Sequence, residues 1–148
     1  MSDLVFWGGL NGATFGNQQF TMINLTFFNS VTALNQLWDW GWTYKGISVN
    51  NCSVALNMGA LNNGSLAVGS VVFVDSDIRD TLVGVRMSRD ANSQPASGNS
   101  LILENVRLSN VPVAVQGPSS STILAGTTGE TTITAWGQGG SPDSTNLD

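Results

Sequence analysis

A chain of 148 residues, 41% hydrophobic and only 10% charged, has room for one domain but too few Lys and Glu to clothe a helical bundle. Its five basic residues are scattered and its net charge is −5, which argues against a nucleic-acid surface and disfavours an anionic membrane and polygalacturonate; a neutral glycan stays compatible. Histidine is absent, which excludes a Ser-His-Asp triad, a His-assisted thiol and the common His-bearing zinc sites; no cofactor is expected.

The chain opens Met-Ser-Asp-Leu-Val-Phe-Trp-Gly-Gly, without the basic start and long apolar core of a signal peptide. No apolar run reaches the ~20 residues of a membrane helix. The glycines at 8, 9, 12 and 16 fit no phosphate-binding pattern and read as turns. Four segments then share one pattern. They are Leu25-x-Phe27-x-Asn29-x-x-x-Ala33-Leu34, Ile47-x-Val49-x-Asn51-x-x-x-Ala55-Leu56, Ser76-x-Ile78-x-Asp80-x-x-x-Gly84-Val85 and Val106-x-Leu108-x-Asn110-x-x-x-Ala114-Val115.

The steps between the Asn/Asp positions are 22, 29 and 30 residues. A steady local pattern at variable spacing means a fixed rung with loops of different length. Alternating apolar residues ending at Asn or Asp describe a short strand with one face inward, closed by a residue that tolerates left-handed backbone. The small residue four positions on suits a crowded interior. Residues 31–38 could pass as a helical face, but Ala33-Leu34 falls in register with Ala55-Leu56, so strand and then loop is expected. The fold expected is all-β, a right-handed parallel β-helix of about five to six rungs. Residues 1–137 form it; 138–148 read as a flexible tail or linker.

Loops should protrude around Asn62-Asn63-Gly64 and between Ser88 and Asn99. Cys52 has no partner in the chain and reads as a buried thiol. Sequons stand at Asn24, Asn51 and Asn63. Asp75, Asp77 and Asp80 make a Ca²⁺ site conceivable, but they lack calcium-loop spacing and Asp80 ends a rung, so a structural reading is preferred. Glu104 reads as a solvated face, and Glu130 as a turn residue. Both ends of the rod should be open sheet edges, which predicts self-association.

Two stretches, Gly12-Ala13-Thr14-Phe15-Gly16-Asn17-Gln18-Gln19-Phe20-Thr21-Met22 and Leu37-Trp38-Asp39-Trp40-Gly41-Trp42-Thr43, resemble the N-terminal β-helix half of the fungal glycoside hydrolase family 55 β-1,3-glucanases. The closing Thr131-Thr132-Ile133-x-x-Trp136-Gly137-Gln138 is similar to the end of that half. The resemblance implies inverting, exo-acting hydrolysis of β-1,3-glucan by an extracellular enzyme, in a cleft between this half and a second one. The general acid Glu would come from that second half, so this chain alone should not hydrolyse glucan.

By the same resemblance Gln19, or its neighbour Gln18, falls at the water-positioning glutamine, and Thr43 at a small hydroxyl residue. Their 24-residue step would let Gln19 and Thr43 stack as one turn. Read without the resemblance, Gln18 and Gln19 are equally solvated turn residues. Trp38, Trp40 and Trp42 alternate, which would place three indoles on one face, either to stack on sugar rings or to plug a core or interface. Asp39 among them is expected to hydrogen-bond, either internally or to a sugar hydroxyl.

Overall fold

A computed structural model of the chain describes residues 1–62, 65–89 and 98–138. The first coil consists of β1 (Ser2–Trp7) and β2 (Asn11–Gly16), and the second of β3 (Gln19–Phe28) and β4 (Thr32–Trp38). The third holds β5 (Gly41–Lys45), β6 (Ser48–Asn50) and β7 (Val54–Asn57). Between it and the fourth coil, β8 (Leu61–Asn62) and β9 (Ser65–Leu66) form a small antiparallel ladder at the first expected loop. The fourth coil is β10 (Ser70–Arg79) and β11 (Val83–Arg86), and the fifth is the single long strand β12 (Ser100–Gln116). Of the second expected loop, residues 90–97 lie outside the described residues.

Each strand pairs in parallel with its counterpart one coil on. One side runs β1, β3, β5 with β6, β10 and β12; the other runs β2, β4, β7, β11 and β12. The molecule is therefore an all-β parallel β-helix. Residues 31–38 are strand from Thr32, as the Ala33-Leu34 register requires.

Two columns of left-handed residues turn the coils. Asn29, Asn51, Asp80 and Asn110 all have φ between 48° and 60°, and Gly8 begins the same column at 72°. Asn51 Nδ2 donates to Asn29 Oδ1 at 2.9 Å, and Asn110 Nδ2 to Asp80 Oδ1 at 3.0 Å. A second column, Asp3, Asn24, Gly46, Asp75 and Asn105, bends each coil one strand earlier and carries its own amide-to-carboxylate bonds, from Asn24 to Asp3 and from Asn105 to Asp75. Short polar side chains tolerate this conformation and bond their stacked neighbour. At Gly46 a side chain would also strike Asn24 Oδ1, so glycine is required twice over.

Inside, Phe6, Phe27, Val49, Ile78 and Leu108 stack in one column, with the Phe6 and Phe27 rings 4.8 Å apart. Ala33, Ala55 and Ala114 are buried beside it with Gly84, as a crowded interior demands. Ser76 stands where neighbouring coils carry an aliphatic residue; its hydroxyl donates to Val74 O and accepts from Ile47 N. That satisfaction makes a polar inward position tolerable. Each well-buried aromatic or aliphatic side chain of this core stabilises by roughly 1.5–3 kcal/mol. Cys52 is buried among them, and burial pushes its thiol pKa up.

Two expectations need correction. The last strand is not a further parallel coil: β13 (Thr122–Gln138) returns antiparallel along β12, from Gln116 opposite Thr122 to Leu101 opposite Gln138, so the sheet edge at that end is the outer side of β13. Glu130 is accordingly not in a turn but within β13, opposite Ser109. An antiparallel strand offers the same N–H and C=O groups as a sixth parallel coil would, so the ladder accepts it. Gln138 ends this strand; 139–148 lie outside the described residues.

Candidate functional site

The second and third coils meet at a corner where residues 16–18 sit beneath residues 38–41. Trp40 N donates to Gln18 O at 2.8 Å and Gly41 N to the same oxygen at 3.2 Å, while Asn17 N reaches Trp38 O at 3.4 Å. The fourth coil clasps the corner from above: Asp39 pairs with Val68, Gly69 N donates to Asp39 O at 3.0 Å, and Ser70 Oγ reaches Trp40 O at 3.4 Å.

This corner separates the three indoles. Trp38 and Trp40 face outward, 41% and 71% exposed, but Trp42 is only 4% exposed and packs against Phe15, Phe20 and Tyr44. The expected face of three indoles does not form. Alternation holds only within a strand, and the bend at Trp40 lets Gly41 also face outward, so Trp42 turns in. Trp38 lies over Gly16, where a Cβ would come within 2.8 Å of its indole.

Gln18 and Gln19 are exposed at the same corner. Gln19 lies opposite Gly41, and Thr43 opposite Thr21. Gln19 and Thr43 thus do not stack as one turn, because the coil-to-coil step here is 22 residues and not 24. They share the outward face as diagonal neighbours instead, with Ser70 and Ser100 continuing the row begun by Gln19 and Gly41. Thr43 is half-buried.

Asp39 is 3% exposed, so it cannot offer its carboxylate to a sugar. Its Oδ1 accepts from Gly69 N at 3.1 Å and Ser70 N at 3.0 Å, and its Oδ2 from Gln36 Nε2 at 3.1 Å. Gln36 Oε1 in turn accepts from the Tyr44 hydroxyl. Burial pushes the Asp39 pKa up, against the pull of its three donors. Burial and then the Asp39 charge push the Tyr44 phenol well above its usual value. This buried network was missed at the sequence level, yet it left a signal: Gln36 falls on the inward phase of β4, two residues after Leu34, where an apolar residue is the rule.

Among the described residues the other aspartates are committed elsewhere. Asp75 accepts from Asn105 Nδ2 and lies 3.9 Å from Lys45 Nζ; Asp77 lies 3.4 Å from Arg107; Asp80 accepts from Asn110. Glu104 is exposed, as expected of a solvated face. Asn51 uses its amide in the column, Asn24 is exposed, and Asn63 lies outside the described residues. No helix among the described residues is long and apolar enough to cross a membrane. The corner thus offers two indoles, two primary amides and hydroxyls, and no charge. Such a set can stack on sugar rings, bond hydroxyls and hold a water, but it cannot protonate a leaving group.

Residues 1–57 match the family described as Rhamnogalacturonase A/epimerase, pectate lyase-like. Across 94% of its length the chain is 49% identical to a probable glucan endo-1,3-beta-glucosidase of Arthroderma benhamiae and 42% identical to a glucan 1,3-beta-glucosidase of Cochliobolus carbonum. It is also 35% identical, again over 94%, to the non-secreted LysM effector LysM19 of Penicillium expansum. The chain spans only 15%, 17% and 11% of the length of these three relatives.

Proposed function

We propose that this chain, the counterpart of one stretch of the glucan 1,3-beta-glucosidases to which it is similar, is the glycan-holding part of a β-1,3-glucan hydrolase. The observation that carries the reading is the uncharged outward corner of Trp38, Trp40, Gln18 and Gln19, beside Thr43 and with its only carboxylate turned inward. On this reading Gln19, with Thr43 diagonal to it, places the attacking water of an inverting, exo-acting reaction. The proton for the leaving oxygen comes from a carboxylic acid on a second β-helix half that closes the cleft. The working site lies outside the cell, where such a polysaccharide is met.

The test is titration of the purified chain with laminari-oligosaccharides and, separately, with oligogalacturonates, read by calorimetry. Binding of the neutral glucan alone is expected, with Trp40→Ala weakening it roughly fivefold and no glucose released. Preference for the uronide, or hydrolysis by the chain alone, would overturn the reading. A second reading, a glycan-binding solenoid without turnover, is favoured by one observation. Among the described residues no two exposed carboxylates flank the row of Gln19 and Thr43, as inversion would need. Joining the chain to the second half separates the two, since only the enzyme reading expects turnover then.

A further inference from the structure

Among the described residues Asp39 is the one acid that is both buried and surrounded by donors, and it lies between the two exposed indoles in sequence. We propose that Asp39 is a positioning residue that holds Trp38 and Trp40 outward through a buried clamp it forms with Gln36, Tyr44 and the Gly69 and Ser70 amides. This rests on the glycan reading of the corner and adds to it an acid on which sugar contact depends without touching sugar.

The geometry leaves the corner little freedom. Three hydrogen bonds of 3.0–3.1 Å end on the Asp39 carboxylate, and Gln36, itself fully buried, also reaches Trp38 O at 3.4 Å. A Cβ on Gly69 would lie 2.9 Å from Asp39 O and 3.0 Å from Trp40 O, so the fourth coil seats directly on the corner backbone. Trp40 is fixed at both peptide groups, its N–H on Gln18 O and its carbonyl under Ser70 Oγ. Every contact of the carboxylate is a donor, an arrangement an acid meets and an amide does not. The clamp therefore reads the polarity at 39, not merely its volume.

Polarity can be exchanged with every bond of the residue-39 side chain kept, at the loss of the long bond from Gln36 Nε2 to Trp38 O. In the double variant Gln36→Glu with Asp39→Asn, the oxygen of the new amide still accepts both backbone N–H groups. Its nitrogen donates to the new carboxylate on β4, whose other oxygen takes the Tyr44 hydroxyl. Net charge is unchanged. The experiment follows the indole N–H cross-peaks of 15N-labelled chain, one for each of the five tryptophans, and the affinity for a laminari-oligosaccharide. Asp39→Asn should move the Trp38 and Trp40 peaks, leave those of Trp7 and Trp136 in place and weaken binding roughly fivefold. The double variant should restore the Trp40 peak and most of the affinity, with the Trp38 peak returning only in part because the bond to Trp38 O is gone.

Tyr44→Phe, which keeps the ring and frees Gln36, should move the same two peaks less far, and it serves if Asp39→Asn does not fold. Unmoved peaks in either folded variant, or a folded double variant that restores neither, would overturn the clamp. Peaks that respond as expected in a chain with no glucan affinity would leave the clamp standing and remove the glycan reading instead.

Discussion

The first and fifth coils differ in what lies against them. At the first coil, β1 pairs from Ser2 opposite Ile23, and among the described residues 19–22 pair with β5 alone. Phe20 is left 47% exposed, and a hollow of about 220 Å³ opens between Phe15, Phe20, Met22 and Trp42. Trp42 Nε1 is buried there, with no partner among the described residues. At the fifth coil the whole of β12 is covered by β13, and Ile123, Leu124, Ile133 and Trp136 rest on the core. Neighbouring coils satisfy one another because each repeats the last, whereas β13 departs from the repeat and pairs antiparallel.

That contrast can be sharpened by paired substitutions read in urea unfolding. The largest effect should come from the inner column. Phe27→Ala, between two coils, should cost about 3–5 kcal/mol, and Phe6→Ala, with its outer side partly bare, about half as much. Equal costs would mean the first coil is as enclosed as the second. Next, Ile133→Asp should cost about 1–3 kcal/mol and raise light scattering by loosening β13 from the edge it covers, while Val5→Asp at the other end should stay within about 0.5 kcal/mol. Smaller still, Asn51→Ala should cost about 1 kcal/mol by losing its bond to Asn29 at a left-handed position, and Asn51→Gly should recover part of it.

Much of the architecture was legible in the chain. The column of 29, 51, 80 and 110, the buried Ala and Gly beside it, and the strand at 32–38 all stand as read. The first coil follows the same pattern, Leu4-x-Phe6-x-Gly8-x-x-x-Gly12-Ala13, but was hidden because glycine takes the place of Asn. The second column, through Asn24 and Gly46, was hidden too, because it bends what sequence alternation presents as one continuous strand. Part of the site was legible as composition: indoles, amides and hydroxyls gathered near residues 18–43.

Sequence by itself therefore determined the coil, since alternation within a strand and a short polar residue at its bend are local properties of a few neighbouring residues. Only the tertiary structure decided which indoles meet solvent, which residue faces Gln19, where Asp39 spends its carboxylate and that β13 returns along β12. Those outcomes depend on how one coil seats on the next. A corner can reset the alternation without leaving a mark in the chain, and the step between coils is chosen by hydrogen bonds to a neighbour 20 to 30 residues away.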